Sequence, residues 1–164
     1  TNNYALWVDS GLTALDGGVT FNSSETTAAN TLDDYEEGTF TPVLTGTTSA
    51  SGVGYDTQSG IYTKIGDMVY INIYLDLNDK GTIVGFLKIT GLPFTNGGHA
   101  APLTVSAQQV ATISPRQVTA PVYGSSAFMY LFLQKQSVAT SDVQMDSADI
   151  TDSSILNFSG CYKV

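Results

Sequence analysis

One uninterrupted alternation constrains this chain more than any other feature. From Met68 to Leu77, the residues Val69, Ile71, Ile73, Leu75 and Leu77 share one parity, while Met68, Tyr70, Asn72, Tyr74 and Asp76 share the other. Successive strand side chains point to opposite faces, so this register gives one wholly aliphatic face and one amphipathic face. The tetrapeptide Asn78-Asp79-Lys80-Gly81 carries turn chemistry, and Thr82 to Ile89 again reads as extended chain. The pattern predicts a β-hairpin that closes before Thr90-Gly91-Leu92-Pro93.

Further short strands are expected at Thr39 to Leu44, Ile61 to Ile65, Leu103 to Val105, Val118 to Tyr123, Phe128 to Gln134 and Ile155 to Val164. Gly, Ser, Asn and Pro punctuate the gaps, and no stretch keeps a capped 3.6-residue period. Many short strands with turn signals predict an all-β protein, an antiparallel β-sandwich of jelly-roll type. Phe128-Met-Tyr-Leu-Phe-Leu133 is apolar on both parities, which fits either a central strand or one covered by a neighbouring subunit.

The first 30 residues differ from the rest. Val8-Asp9-Ser10-Gly11 recurs as Leu15-Asp16-Gly17-Gly18, and Val19-Thr20-Phe21 opens a third unit. Such a ribbon buries no core alone, but three copies around one axis do. A shaft-like stem, with Trp7 packed on the axis, and a loose arm both fit. Asn22 to Asn30 reads as a linker, so the organisation is a stem over 1–30 and a sandwich head over 31–164.

Composition narrows the function classes. Apolar residues make up 42% of the 164 residues, enough for a core, and charged ones only 13%, which is consistent with surface hidden in an oligomer. The formal charge is −9, and the six basic residues are scattered, which argues against nucleic acid and against an anionic membrane surface. No window supplies the roughly 20 apolar residues of a membrane-spanning helix. Thr1 opens no basic-then-apolar leader, and the sequence reads as a piece of a longer protein. Cys161 has no partner in the chain and is expected to be a small buried hydrophobe.

Gly60-Ile-Tyr-Thr-Lys-Ile-Gly66, Val69-Tyr70, Lys80-Gly81 and Ile89-Thr-Gly-Leu-Pro-Phe94 resemble a C-terminal module of the tail fibres and tail spikes of tailed bacteriophages. Asn30-Thr-Leu-Asp-Asp-Tyr-Glu-Glu-Gly-Thr-Phe-Thr-Pro42 is similar to the segment that often precedes it. These strings cover roughly residues 30 to 94. The resemblance implies an intertwined homotrimer at the receptor-binding end of a fibre, joined to the rest of that fibre through its N-terminal side. It also implies a place on the virion, exposed to the medium, and a bacterial surface polysaccharide as partner.

The residues themselves offer little catalytic machinery. His99 is the single histidine and lies in the loop Asn96-Gly-Gly-His-Ala100; no serine carries a nucleophile-elbow pattern. A His-ligated metal centre ordinarily needs further imidazoles or a cysteine cluster, so no metal and no cofactor are expected. The acidic run Asp33, Asp34, Glu36 and Glu37 reads as a solvated neck with Tyr35 packed on the head. Asp142, Asp146, Asp149 and Asp152 read as a solvated loop whose spacing matches no Ca²⁺ loop. Sugar recognition is better served, because nine Tyr, seven Phe and one Trp accompany loops rich in Ser, Thr, Asn and Gln. Gln108, Gln109, Arg116, Tyr123 and His99 are the candidate contacts. The negative charge favours a neutral or zwitterionic glycan unless a basic group such as Arg116 or Lys135 offsets it locally. A trimerising cap without receptor contact, or a depolymerase with its site between subunits, would be the alternatives to a non-enzymatic binding module.

Overall fold

The computed structural model describes residues 11, 18–20, 31–32, 34–111, 117–134 and 143–164. The repeats around Val8 and Leu15, Trp7, Asp33, Arg116, Lys135 and Asp142 lie outside them. The strands are β1 (Val19–Thr20), β2 (Thr31–Leu32), β3 (Tyr35–Phe40), β4 (Val43–Gly46), β5 (Ser49–Ser51), β6 (Gly54–Ile65), β7 (Met68–Asp79), β8 (Thr82–Val84), β9 (Leu87–Thr90), β10 (Ala101–Gln108), β11 (Val118–Val122), β12 (Phe128–Tyr130), β13 (Phe132–Leu133), β14 (Val143–Gln144) and β15 (Ile155–Lys163). No helix occurs among the described residues. The all-β, antiparallel expectation holds, with the sheets curled into a half-barrel or sandwich.

The main sheet runs β3-β6-β7-β15-β10-β11-β12-β9-β4. Strand β10 turns the corner between its two halves. Thr104 to Gln108 pair with β15, whereas Ala101 to Leu103 pair with β11. One strand thus belongs to two walls, and the walls close on a shared interior. The alternation over 68–77 appears in full: Val69, Ile71, Ile73, Leu75 and Leu77 are all buried. Leu156, Phe158 and Tyr162 extend that wall from β15. Leu44, Leu87, Ile89, Ala120, Val122, Met129, Leu131 and Leu133 face it from the other half. Burial of these side chains supplies most of the drive to close, at about 1.5–3 kcal/mol for each large one.

The hairpin forms elsewhere than predicted. Strand β7 pairs with β6 on one edge and β15 on the other, so no edge is left for Thr82 to Ile89. The two-residue connection is Gly66-Asp67, between Ile65 and Met68, and Gly66 adopts a φ of 55° there. The turn at Asn78 to Gly81 does exist, with the Gly81 amide bonded to Asp79 Oδ1 at 2.7 Å. Gly81 has a φ of 59°, and a Cβ on it would stand 2.3 Å from the Ser51 carbonyl oxygen. Lys80 donates from Nζ to the carbonyls of Ser147 and Ile150, and its amide donates to Asp152. This anchoring leads the chain into the opposite wall, where β8 pairs with β5 and β9 pairs with β4 and β12.

Two further expectations are corrected. Cys161 is half-buried and sits across from Tyr70, on the outer parity of β15, because Leu156, Phe158 and Tyr162 take the inner one. Tyr35 is 58% exposed and not packed on the head; its hydroxyl donates to Glu37. The neighbouring acids hold β3 to β6, since Asp34 pairs with Lys64 and Tyr62 donates to Glu36. Hydrogen bonding to Glu37 and its charge raise the Tyr35 pKa, and Glu36 does the same to Tyr62.

Candidate functional site

Asn96 organises one end of the molecule. It is fully buried, and its Nδ2 donates to the carbonyls of Val122 (2.8 Å) and His99 (3.0 Å). Its Oδ1 accepts from the Gly98 amide at 2.8 Å, and its backbone bonds Ser125 and Ser126. A buried amide with every polar atom satisfied is worth keeping, because each group left unpaired costs about 1–3 kcal/mol. The loop at 95–100 is thereby fixed against the loop at 123–126. They approach so closely that a Cβ on Gly124 would lie 2.4 Å from the Gly98 oxygen.

Next to that loop pair the outer face of β9, β12 and β11 carries a row of rings. Tyr123 meets Tyr130 edge to face at 5.7 Å between centroids, and Tyr130 meets Phe128 in the same manner at 5.2 Å. Lys88 stands across from Tyr130 in the β9–β12 register, and its Nζ lies 5.3 Å from the Phe128 ring centre. Thr45 and Thr90 flank Lys88 on the same face. Tyr123 is exposed and the other three side chains are half-buried, so the rings are anchored yet reachable. Rings held by neighbours lose little further freedom on binding, which suits them to stack on a sugar.

The residues selected from sequence divide between two ends of one strand. His99 is exposed beside the start of β10, and Tyr123 joins the ring row next to it. Gln108 ends β10, about 23 Å away at roughly 3.3 Å per residue, and lies across from Ile155. Gln109 follows with a φ of 54°, and its carbonyl accepts from Thr151 and Ser154. It is a turn residue tied to the loop at 151–154. Arg116 lies outside the described residues. The structure therefore joins Tyr123 and His99 and separates them from both glutamines.

Phe128, Tyr130 and Lys88 are not among the contacts expected from sequence. A signal for the first two was present in Phe128 to Leu133, where aromatic and aliphatic residues alternate one for one. Met129, Leu131 and Leu133 are buried, and Phe128, Tyr130 and Phe132 face outward half-covered.

The acidic loop is built from turns. Asp146 accepts from the Ala148 amide, Asp149 from the Asp146 amide and Asp152 from the Lys80 amide. Among the described residues no group of three or more His, Cys, Asp or Glu side chains converges as a metal site would require.

A second outer surface lies on the other half of the sheet. Ile61, Thr63, Tyr70, Asn72 and Ser159 line a shallow depression of about 230 Å³ across β6, β7 and β15. Ile61 is 53% exposed, Tyr70 51% and Ile65 44%.

No protein-family model matches the sequence, and no curated protein matches it. Among solved structures the fold is similar to the crystal structure of Dettilon tailspike protein, with a TM-score of 0.65 and 16% identity. The match covers 79% of this chain and 24% of that one, so the chain spans about a quarter of the tailspike's length.

Proposed function

We propose that this chain is a bacteriophage tail protein whose β-head adheres to a glycan on the host cell surface during adsorption. The observation that carries the reading is the fold likeness to a tailspike over 79% of the chain. The ring row Tyr123–Tyr130–Phe128, beside the loop of His99, supports a sugar as the ligand. The exposed apolar residues Tyr35, Ile61, Ile65 and Tyr70 on the other outer face support assembly as a homotrimer at the end of a fibre. In that assembly 1–30 serves as the stem leading to the rest of the fibre, and 31–164 as the head. Three heads per fibre then make weak single contacts additive through effective concentration. Adhesion needs no strong individual site.

A fluorescent fusion of the chain, applied to a panel of bacterial strains, tests the reading. Adherence to some strain, abolished by periodate oxidation of its glycans and unaffected by protease, is the expected result. Adherence to none would favour a trimerising cap. Release of reducing ends from the bound polysaccharide would make the protein a depolymerase.

A further inference from the structure

We infer that the ring row is a subsite for an acidic sugar, a pyranose bearing a carboxylate, which Lys88 holds. The inference rests on the glycan-binding reading and narrows its ligand class. Among the described residues, Lys64 and Lys163 pair with Asp34 and Asp67, and Lys80 donates to two backbone carbonyls. Lys88 alone of these lysines contacts neither carboxylate nor carbonyl; its ammonium lies over the Phe128 ring. In a chain of charge −9, a lysine that neither pairs with an acid nor donates to a carbonyl among the described residues therefore stands on the aromatic surface.

The geometry suits a two-part ligand. Lys88 and Tyr130 are direct cross-strand neighbours, which puts their Cβ atoms about 5 Å apart. A sugar ring stacked on Tyr123, whose ring stands edge to face with Tyr130, brings an exocyclic carboxylate toward the ammonium across from Tyr130. Thr45 stands across from Lys88 with its hydroxyl on the same face, and the Thr90 hydroxyl, which donates to the Val43 carbonyl at 3.4 Å, keeps lone pairs for a ring hydroxyl. A lysine already held at a ring face gives up little further freedom on binding and gains a charge-assisted hydrogen bond. Asp146 bridges to Phe86, two residues along the chain from Lys88, and its carboxylate is engaged by the Ala148 amide; acids more than about 8 Å away are largely screened in physiological salt. A cation in contact with the carboxylate acts on it more strongly than a screened anion does. The preference for a neutral glycan read from net charge is thereby reversed at this site.

Methyl β-D-glucuronide and methyl β-D-glucoside differ only in the carboxylate, and titration of each into the protein with NMR detection separates the terms. The glucuronide is expected to shift the resonances of Lys88, Phe128, Tyr130 and Tyr123 at millimolar concentration, and the glucoside to bind about tenfold more weakly. Lys88→Gln is expected to erase that difference and leave glucoside binding within about twofold, while Lys88→Arg keeps the preference. Equal binding of both glycosides would overturn the inference, as would the same shifts produced by acetate alone or no shift at this face. Adherence of the fusion to cells decides the broader reading separately. Periodate-sensitive adherence that survives Lys88→Gln and carboxyl reduction of the polysaccharide would leave a glycan binder whose acidic subsite does not exist.

Discussion

The two outer faces of this sheet are made of similar residues and suit different partners. On the β6–β7–β15 half, Ile61, Ile65 and Tyr70 are each about half exposed, Tyr35 stands beside them on β3, and the single cysteine sits among them. On the β9–β12–β11 half, the rings lean on one another and a lysine leans on a ring. The first face has aliphatic and aromatic groups spread across adjacent strands with little side-chain ordering of its own. That arrangement gains most from a second apolar surface laid against it. The second face is already ordered and offers a cation, hydroxyls and ring edges, which a sugar can use. Apolar content alone does not distinguish an assembly surface from a ligand surface; preorganisation and charge do.

The largest effect should come from the first face. Replacing Ile61 and Tyr70 together by Asp is expected to reduce the light-scattering mass from three chains to one of 17.3 kDa. Both side chains point outward, so the isolated fold should lose little stability. Cys161 lies across from Tyr70, and its reaction with a thiol reagent should speed up in the same variant. A monomeric wild type would break the comparison at once.

On the second face, Tyr130→Ala should weaken adherence to cells about tenfold or more, as loss of a central aromatic contact does, with the assembly mass unchanged. If Tyr130→Ala lowered the mass instead, the two faces would have to exchange roles.

A smaller effect tests the core between the faces. Tyr162 is buried; its hydroxyl donates to the Phe94 carbonyl at 3.0 Å and accepts from the Phe94 amide at 3.3 Å. Burial pushes its pKa up to about 12 from 10.0, with the backbone hydrogen bond opposing the shift. A raised folded-state pKa means the folded chain holds its proton more tightly than the unfolded one. The contribution is complete below pH 10 and is lost as pH rises through about 12. Denaturant midpoints should fall over that window in the wild type, and less steeply in Tyr162→Phe. That variant should also cost about 1–2 kcal/mol at neutral pH through the hydrogen bonds it removes.

How much could be read in advance followed from how local each signal was. The 68–77 strand was legible because five aliphatic side chains at one parity admit only one buried face. The turn at Asn78 to Gly81 was legible too, but its consequence was not. Whether a turn closes a hairpin depends on whether the preceding strand has a free edge, and β15, about eighty residues later, occupies that edge. Cys161 departs from expectation for a similar reason: composition favours a buried cysteine, but Phe158 and Tyr162 take the inner parity of β15 and leave Cys161 on the outer one. Tyr123 and His99 were selected by residue type and share an end of the fold because Asn96 ties their loops. Gln108 and Gln109 matched the same chemistry and lie at the far end of β10. Lys88 was not legible, since its meaning comes from a ring forty residues away and from the acids that fail to reach it.

The most direct measurement is hydroxyl-radical footprinting of the wild-type protein with and without polysaccharide from a strain to which it adheres. The account predicts that Tyr70 and Cys161 are protected in the protein alone, and that Tyr123 and Tyr130 oxidise freely until the polysaccharide is added. Equal oxidation of Tyr70 and Tyr130 in the protein alone, or no protection of Tyr130 by the polysaccharide, would contradict it.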